Sequence, residues 1–336
     1  MRLLVTGGAG YIGSHTVALL AEHGHDVTVL DNLERGHPAV VGAVPLVVGD
    51  VADEPLVRDL LVDRRIEAVI HFAARKSVAD SLTDPGAYFG VNVGGTIALL
   101  RALRAAGVAR LVFSSSCAVY GSPDRLPVTE QSPLRPENPY GETKVLVERM
   151  LPWFAGTGLR AVSLRYFNAA GAAVDGSNGE DLRDAANLVP VVMQAALGLR
   201  EAVSVFGTDY PTPDGTAIRD YVHVLDLADA HVRALDHLTD DGPSATLNIG
   251  TGSGASVREV IDAARRVTGR PIPSRDVARR RGDPPAMWAD NRLAREVLGW
   301  TPRFGLDEMI ESAWRWHAGH PDGHGPSPAH LLGAAT

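Results

Sequence analysis

Short, nearly unbroken apolar runs recur through the first half of the chain, separated by longer stretches in which apolar residues fall three and four apart. The runs at Leu3–Thr6, Val27–Leu30, Leu46–Gly49, Ala68–His71, Leu111–Ser114 and Ala161–Tyr166 are bounded by turn residues and predict strands. Ile12–His23, Pro55–Asp63, Tyr88–Ala106 and about Pro139–Leu151 carry helical periodicity. Near-continuous apolar strands alternating with helices predict an α/β, Rossmann-type doubly wound parallel sheet covered on both faces.

After Tyr166 the rhythm changes. Ala169–Ala186, rich in Gly, Ala, Asp and Asn, reads as a long loop, followed by a helix near Leu188–Leu199 and a strand at Val203–Phe206. Asp220–Val224 and Leu225–His237 read as a further strand–helix unit expected to return to the main sheet. Val257–Thr268 and Leu306–His317 read as amphipathic helices. The expected division is a dinucleotide-binding domain over residues 1–168, rejoined by a segment near 219–240, a smaller mixed α/β substrate domain over 169–318, and a flexible tail over 319–336. The chain contains no internal repeat.

Composition narrows the class. With 336 residues, 45% apolar and 21% charged, the chain is an ordinary globular one with a sizeable core. A formal charge of −8 and the lack of any basic run argue against nucleic-acid binding, so an anionic ligand must meet locally placed arginines. A single cysteine, Cys117, permits no intrachain disulfide and points to a reducing, cytoplasmic setting; it reads as a small core residue. No apolar span is long enough for a membrane helix or signal peptide.

Gly7-Gly-Ala-Gly10-Tyr11-Ile12-Gly13 follows a strand and opens a helix. Gly7 permits a tight turn, Gly10 lets backbone approach a pyrophosphate, Gly13 permits close helix packing, and the helix start presents free N–H groups. The glycine pattern alone is a weak signal; its context agrees. Asp31 ends the second strand, where its carboxylate holds ribose hydroxyls and repels a 2′-phosphate, favouring NAD over NADP, with nearby Arg35 weakening the exclusion slightly. Asp50 reads either as an acceptor for the adenine amino group or as a cap or turn acid. Phe72 and Ala73, in His71-Phe-Ala-Ala74, end the fourth strand, where small residues let the cofactor pass close.

Tyr140 and Lys144 stand four residues apart in Asn138-Pro-Tyr-Gly-Glu-Thr-Lys, which stacks phenol and ammonium on one helix face. The ammonium is expected to lower the phenol's pKa toward neutrality, so that the oxygen takes a proton from a sugar hydroxyl while a nicotinamide takes the hydride. Ser116 lies in the serine run that ends the fifth strand. Such a run by itself reads as turn and capping hydroxyls; it gains weight because Tyr140 and Lys144 follow.

At this point the chain resembles the extended short-chain dehydrogenase/reductases, most closely the branch that epimerises UDP-hexoses at C4. The marks, taken in order along nearly the whole chain, are Val5–His15, Asp31–Leu33, Phe113–Tyr120, Asn138–Lys144, Arg165–Asn168, Phe206–Pro211, Arg219–His223, Arg280–Asp283 and Trp288–Asp290. The resemblance implies Ser116, Tyr140 and Lys144 as the catalytic set. It further implies that Tyr11, Ile12, Asp31, Asn32, Asp50, Val51, Phe72, Lys76 and Phe167 line NAD, and that Asn168, Asn187, Leu188, Phe206, Arg219, Arg280 and Asp283 hold the UDP-sugar. Fixed arginines suit a diphosphate through charge-assisted bonds.

The family pattern departs at Val91, where an asparagine beside the nicotinamide is usual; Asn92 follows and reads also as a polar helix residue. Met287 stands near the sugar's 2-substituent and leaves acceptance of an N-acetyl group open. The expected activity is therefore NAD-dependent C4 inversion of UDP-galactose and UDP-glucose through a 4-keto intermediate. UDP-N-acetylhexosamines and UDP-pentoses are alternative substrates. A 4,6-dehydratase is disfavoured because Cys117-Ala118 replaces the acid pair that elimination needs, a net reductase by Asp31, and a non-catalytic NAD sensor by the retained tyrosine and lysine. The resemblance also implies a homodimer through Tyr88–Ala106 and Pro139–Leu151. Among the twelve histidines, His15, His71 and His223 read as packed or hydrogen-bonded, and His317, His320 and His324 lack the partners of a metal site.

Overall fold

The computed structural model describes residues 1–182, 185–280 and 282–325. All six expected strands form: β1 Arg2–Thr6, β2 Asp26–Asp31, β3 Leu46–Val48, β4 Ala68–His71, β5 Arg110–Ser114 and β6 Arg160–Tyr166. Between them run α1 Tyr11–Glu22, α2 Glu54–Asp63, the short α3 Val78–Thr83 and α4 Pro85–Tyr88, then α5 Gly95–Ala106 and α6 Pro139–Phe154. Local chemistry sets their ends. The Asp53 carboxylate accepts from the Leu56 amide to cap α2, and Asn138 caps α6 through the Gly141 amide at 2.8 Å, with a proline opening each first turn.

The expected helix Tyr88–Ala106 is not continuous. Phe89–Gly94 forms a wide π turn between α4 and α5. Gly90, Gly94 and Gly95 lower helix propensity there, and the Asn92 side chain leaves the helix to bind both backbone groups of Arg75 and the Thr143 hydroxyl.

The second half contributes β7 Asn168–Ala170, α7 Leu188–Ala196, β8 Val203–Phe206, β9 Ile218–Arg219, β10 Tyr221–His223, α8 Val224–Thr239, β11 Ala245–Ile249, β12 Ala255–Ser256, α9 Val257–Thr268, β13 Ser274–Val277, β14 Ala286–Met287, α10 Arg292–Leu298 and α11 Leu306–Gly319. One expectation is corrected here. The strand at 221–223 does not return to the main sheet but pairs in parallel with β7, while α8 does return, lying along α1. The seventh strand of the main sheet is β11, which had not been expected. The sheet is wholly parallel in the order β11-β6-β5-β4-β1-β2-β3.

Successive residues of β1 divide the core. Leu3 and Val5 face α1 and α8, packing with Val17, Leu20, Leu227 and Leu235; Leu4 faces α2, α5 and α6, packing with Leu61, Leu99, Leu103 and Val147. A second core joins α7, α9 and α11 to β8 through Val192, Met193, Val205, Ile261 and Ile310. At the start of the expected tail, His320 stacks on Trp316 at 3.9 Å, and His324 Nε2 bonds the Gly179 carbonyl at 3.0 Å. Residues 326–336 of that segment lie outside the described residues.

Candidate active site

Strand order reverses between β1 and β4, the switch point outside whose strand carboxyl ends open α/β sheets bind ligands. Gly7, at φ +72°, turns the chain out of β1; a Cβ there would stand 2.6 Å from the Ala73 amide nitrogen, and one on Gly13 would stand 2.3 Å from the Gly7 carbonyl oxygen. The first turn therefore sits on the end of β4 at a distance only glycine allows. Gly10 is the N-cap of α1 and brings no side-chain acceptor, so the leading N–H groups at Tyr11 and Ile12 keep donors for an anion.

Asp31 Oδ2 accepts from the Ala9 amide at 3.0 Å and Oδ1 from Leu33 at 2.8 Å, which fixes the carboxylate while leaving each oxygen further acceptor capacity; burial raises its pKa. Asn32 donates to Asp50 Oδ2 at 3.0 Å and Asp50 Oδ1 accepts from Ala52 at 2.8 Å, a turn that leaves each oxygen a further lone pair, while Asp53 is the cap of α2. Val51 is buried, Phe72 packs on His231 at 4.5 Å, and the Ala73 amide donates to Thr6. A helix N-terminus for a pyrophosphate, an oriented acid for ribose hydroxyls and close backbone between them fit a dinucleotide without a 2′-phosphate.

Beside this cradle, α6 packs tightly on the turn Cys117–Tyr120: a Cβ on Gly141 would stand 2.6 Å from the Ala118 carbonyl oxygen. That approach brings Tyr140 beside Ser116, whose Oγ accepts from the Ala118 amide at 3.2 Å and whose hydroxyl eases the burial of the phenol. Tyr140 and Lys144 are both buried. Lys144 Nζ donates to the Ser114 carbonyl at 2.8 Å and lies 5.0 Å from the Phe113 ring centre and 5.8 Å from that of Tyr140.

Burial lowers the ammonium to about 8, opposed by Glu148. Burial also raises the Tyr140 phenol, helped by Tyr166 and opposed by Ser116. The expected lowering of Tyr140 by its lysine is thus not met in the protein chain alone. Desolvation of a phenolate outweighs a cation whose own hydrogen bond goes to a carbonyl.

The residues expected to hold the sugar nucleotide fall into two groups. Arg219 pairs with Asp283 and lies in register with Met287 across β9 and β14; Arg280 lies 3.7 Å over the Phe206 ring. Tyr210 joins them, donating to the Asp283 carbonyl at 3.4 Å under the Arg279 guanidinium. On the other side, Asn168 donates to the Asp220 carbonyl at 2.9 Å, and Asn187 opens α7 without capping it, leaving Leu188 and the first turn with free N–H groups.

Asn187 instead donates to Glu180 Oε1 at 3.0 Å, the same oxygen that takes Lys76 at 3.2 Å. Glu180 therefore joins a residue expected on the cofactor to one expected on the substrate. It was missed because nothing in its local sequence marks it; only the meeting of two distant segments does. Tyr166, whose hydroxyl lies 2.7 Å from Ser114 Oγ, was also missed, although Arg165-Tyr-Phe-Asn168 was noted as a motif.

Phe167 is buried among Tyr120, Met287 and Cys117, and burial pushes the Cys117 thiol up to about 12, unsuited to acid–base work. Val91 sits half-buried on the π turn. His71 bonds Thr6 and Thr96, His15 bonds the Tyr11 and Asn178 carbonyls, and His223 bonds Ser312.

Residues 3–250 match the model of the NAD dependent epimerase/dehydratase family. The chain is 48% identical over 326 residues to a UDP-glucose 4-epimerase of Halalkalibacterium halodurans, covering 96% of this chain and 98% of that one. It is similar to the crystal structure of a UDP-glucose-4-epimerase from Stenotrophomonas maltophila with bound NAD and formylated UDP-arabinopyranose, at a TM-score of 0.93, 45% identity and coverage of 96% and 99%. It is likewise similar to one from Bifidobacterium longum in complex with NAD+ and UDP, at a TM-score of 0.91, 40% identity and coverage of 96% and 100%.

Proposed function

The chain belongs to the NAD-dependent epimerase/dehydratase family, and we propose that it inverts C4 of a UDP-hexose, interconverting UDP-galactose and UDP-glucose through a 4-keto intermediate with NAD as hydride carrier. The observation that carries this reading is the Tyr140 phenol, buried against Ser116, one helical turn from Lys144, at the strand ends beside the glycine cradle. Gly7, Gly10, Tyr11, Ile12, Gly13, Asp31, Asn32, Asp50, Val51, Phe72, Ala73, Lys76 and Phe167 hold the cofactor in this reading. NAD, when bound, supplies a positive ring and reversible acceptance of the C4 hydride.

Ser116 orients the 4-oxygen, and Tyr140 takes its proton in one direction and returns one in the other. Lys144, as an ammonium, stabilises the phenolate that accepts the proton and that is restored when the proton is returned, offsetting the burial that otherwise keeps the phenol protonated. Arg219 and Arg280 grip the diphosphate while Asn168, Asn187, Leu188, Phe206 and Asp283 complete the pocket. The 4-keto sugar turns over within it and presents its other face.

The same reading divides the chain near residue 168, with α8 returning to the dinucleotide half, and joins two copies through the outer faces of α5 and α6. In support of the dimer, Phe89, Ile97 and Trp153 are exposed on or beside these helices. Lone Cys117 supports a reducing, cytoplasmic setting. Tyr140→Phe keeps NAD bound and lowers kcat about 10²- to 10⁴-fold, the usual share of a general acid–base group. Near-wild-type turnover in that variant, with NAD content unchanged, removes Tyr140 from the mechanism.

A further inference from the structure

Two buried charges lie behind the site and have no part in the roles assigned so far. Glu148 stands one turn beyond Lys144 on α6, and Arg165 stands on β6; their side chains are 6% and 7% exposed. Arg165 Nε donates to both Glu148 oxygens, at 3.0 and 3.1 Å, and Nη2 donates to Oε2 at 2.5 Å. Its Nη1 donates to Tyr120 Oη at 2.9 Å and to the Glu130 carbonyl at 3.2 Å. A pair so placed is costly to desolvate and is weak evidence for stability as such. Its position suggests another use.

The remaining bond of Glu148 is the informative one: Oε1 accepts from Ser115 Oγ at 2.5 Å. The three successive serines at the end of β5 thus have separate tasks. The Ser114 carbonyl holds the Lys144 ammonium, Ser115 holds Glu148, and Ser116 faces Tyr140. Two adjacent residues of the strand end are thereby tied to one helix face, at Lys144 and Glu148, and the third is left to face the reacting oxygen. We propose that Glu148, held by Arg165, is a positioning residue of this site. Its carboxylate fixes Ser115, and with it the strand end that carries Ser116, and it supplies the negative charge that keeps Lys144 an ammonium in dry surroundings.

The titratable groups around Lys144 are consistent with this. On its own helix are Tyr140 and Glu148; on β4 is His71, which burial and Lys144 together hold at about 3 and therefore neutral; Arg165 lies beyond Glu148. Glu148 is the one of these that raises the lysine's proton affinity. The inference rests on the roles given to Ser116, Tyr140 and Lys144, and its test separates the two.

The test is the pH dependence of kcat and KM for UDP-galactose in wild type, Glu148→Gln, Glu148→Gln/Arg165→Gln and Ser115→Ala, each with NAD content and circular dichroism checked. In wild type the alkaline limb lies near the lysine's pKa of about 8. Both Glu148 variants move that limb to lower pH by about half a unit or more and lower kcat about tenfold, with KM changed less than about threefold. Ser115→Ala lowers kcat without moving the limb. A folded Glu148→Gln with an unmoved limb overturns the proposal, as does the double variant if the single one fails to fold. If neither folds, wild-type kcat in Ser115→Ala overturns it. Failure of the site assignment looks different: it appears as full turnover in Tyr140→Phe, whatever the Glu148 variants do.

Discussion

Replacing Lys144 by methionine removes the buried cation while nearly keeping its volume, and the consequence for stability has a sign that depends on pH. Burial lowers this lysine from 10.5 to about 8. At about 1.4 kcal/mol per tenfold change in proton affinity, the folded state carries a penalty of about 3 kcal/mol at pH 7. Below pH 8 folded and unfolded chains both hold the proton and the penalty is constant. Between about 8 and 10.5 the unfolded chain still holds a proton that the folded chain has shed, so wild-type stability from this group grows as pH rises.

Lys144→Met has no such group. Its advantage over wild type at pH 7 is about 3 kcal/mol, less about 1 kcal/mol for the lost bond to the Ser114 carbonyl, and it shrinks by about 2 kcal/mol by pH 9.5. The assay is urea unfolding of both proteins at matched NAD occupancy across that range, since other titrating groups cancel in the difference. A difference that stays flat from pH 7 to 9.5, or a variant less stable than wild type at pH 7 and level with it at 9.5, refutes the reasoning. Epimerase activity of Lys144→Met is expected to fall by orders of magnitude although its fold is more stable, because the charge is retained for chemistry.

Two further outcomes follow from the cofactor and substrate groups. Asp31→Ser removes the buried carboxylate proposed to hold the adenosine ribose, and on that proposal the preference for NAD over NADP in competitive titration drops about tenfold or more; unchanged discrimination contradicts that role. Arg219→Gln frees Asp283 and, on the proposed role of Arg219, gives up a charge-assisted bond to the diphosphate worth about 1.5–3 kcal/mol, so KM for UDP-galactose rises about tenfold to a hundredfold with kcat changed less; a loss confined to kcat contradicts the assignment.

What was legible in the sequence was what is encoded locally. Apolar runs marked six of the seven strands, the glycines at 7, 10 and 13 announced a close-packed turn, and the spacing of Tyr140 and Lys144 placed them on one helix face. The seventh strand escaped because Ala245–Ile249 is half polar, and its Asn248 is spoken for by Tyr120 and the Val128 carbonyl, partners more than a hundred residues away.

The helix interrupted at Phe89–Gly94 escaped for the same reason: Asn92 answers to Arg75 and Thr143, not to its own turn. The tyrosine's proton affinity was misjudged because spacing reports a neighbour's charge, whereas burial depends on Gly141 seating α6 against Ala118.

In the proposed reaction one site removes a hydride from C4 and gives the same hydride back to the other face. UDP-galactose carrying deuterium at C4, incubated with the protein and NAD and followed by proton magnetic resonance and mass spectrometry, tests it most directly. The expected product is UDP-glucose with the deuterium still at C4. Loss of the label to water, or no UDP-glucose at all from protein that holds NAD, contradicts it.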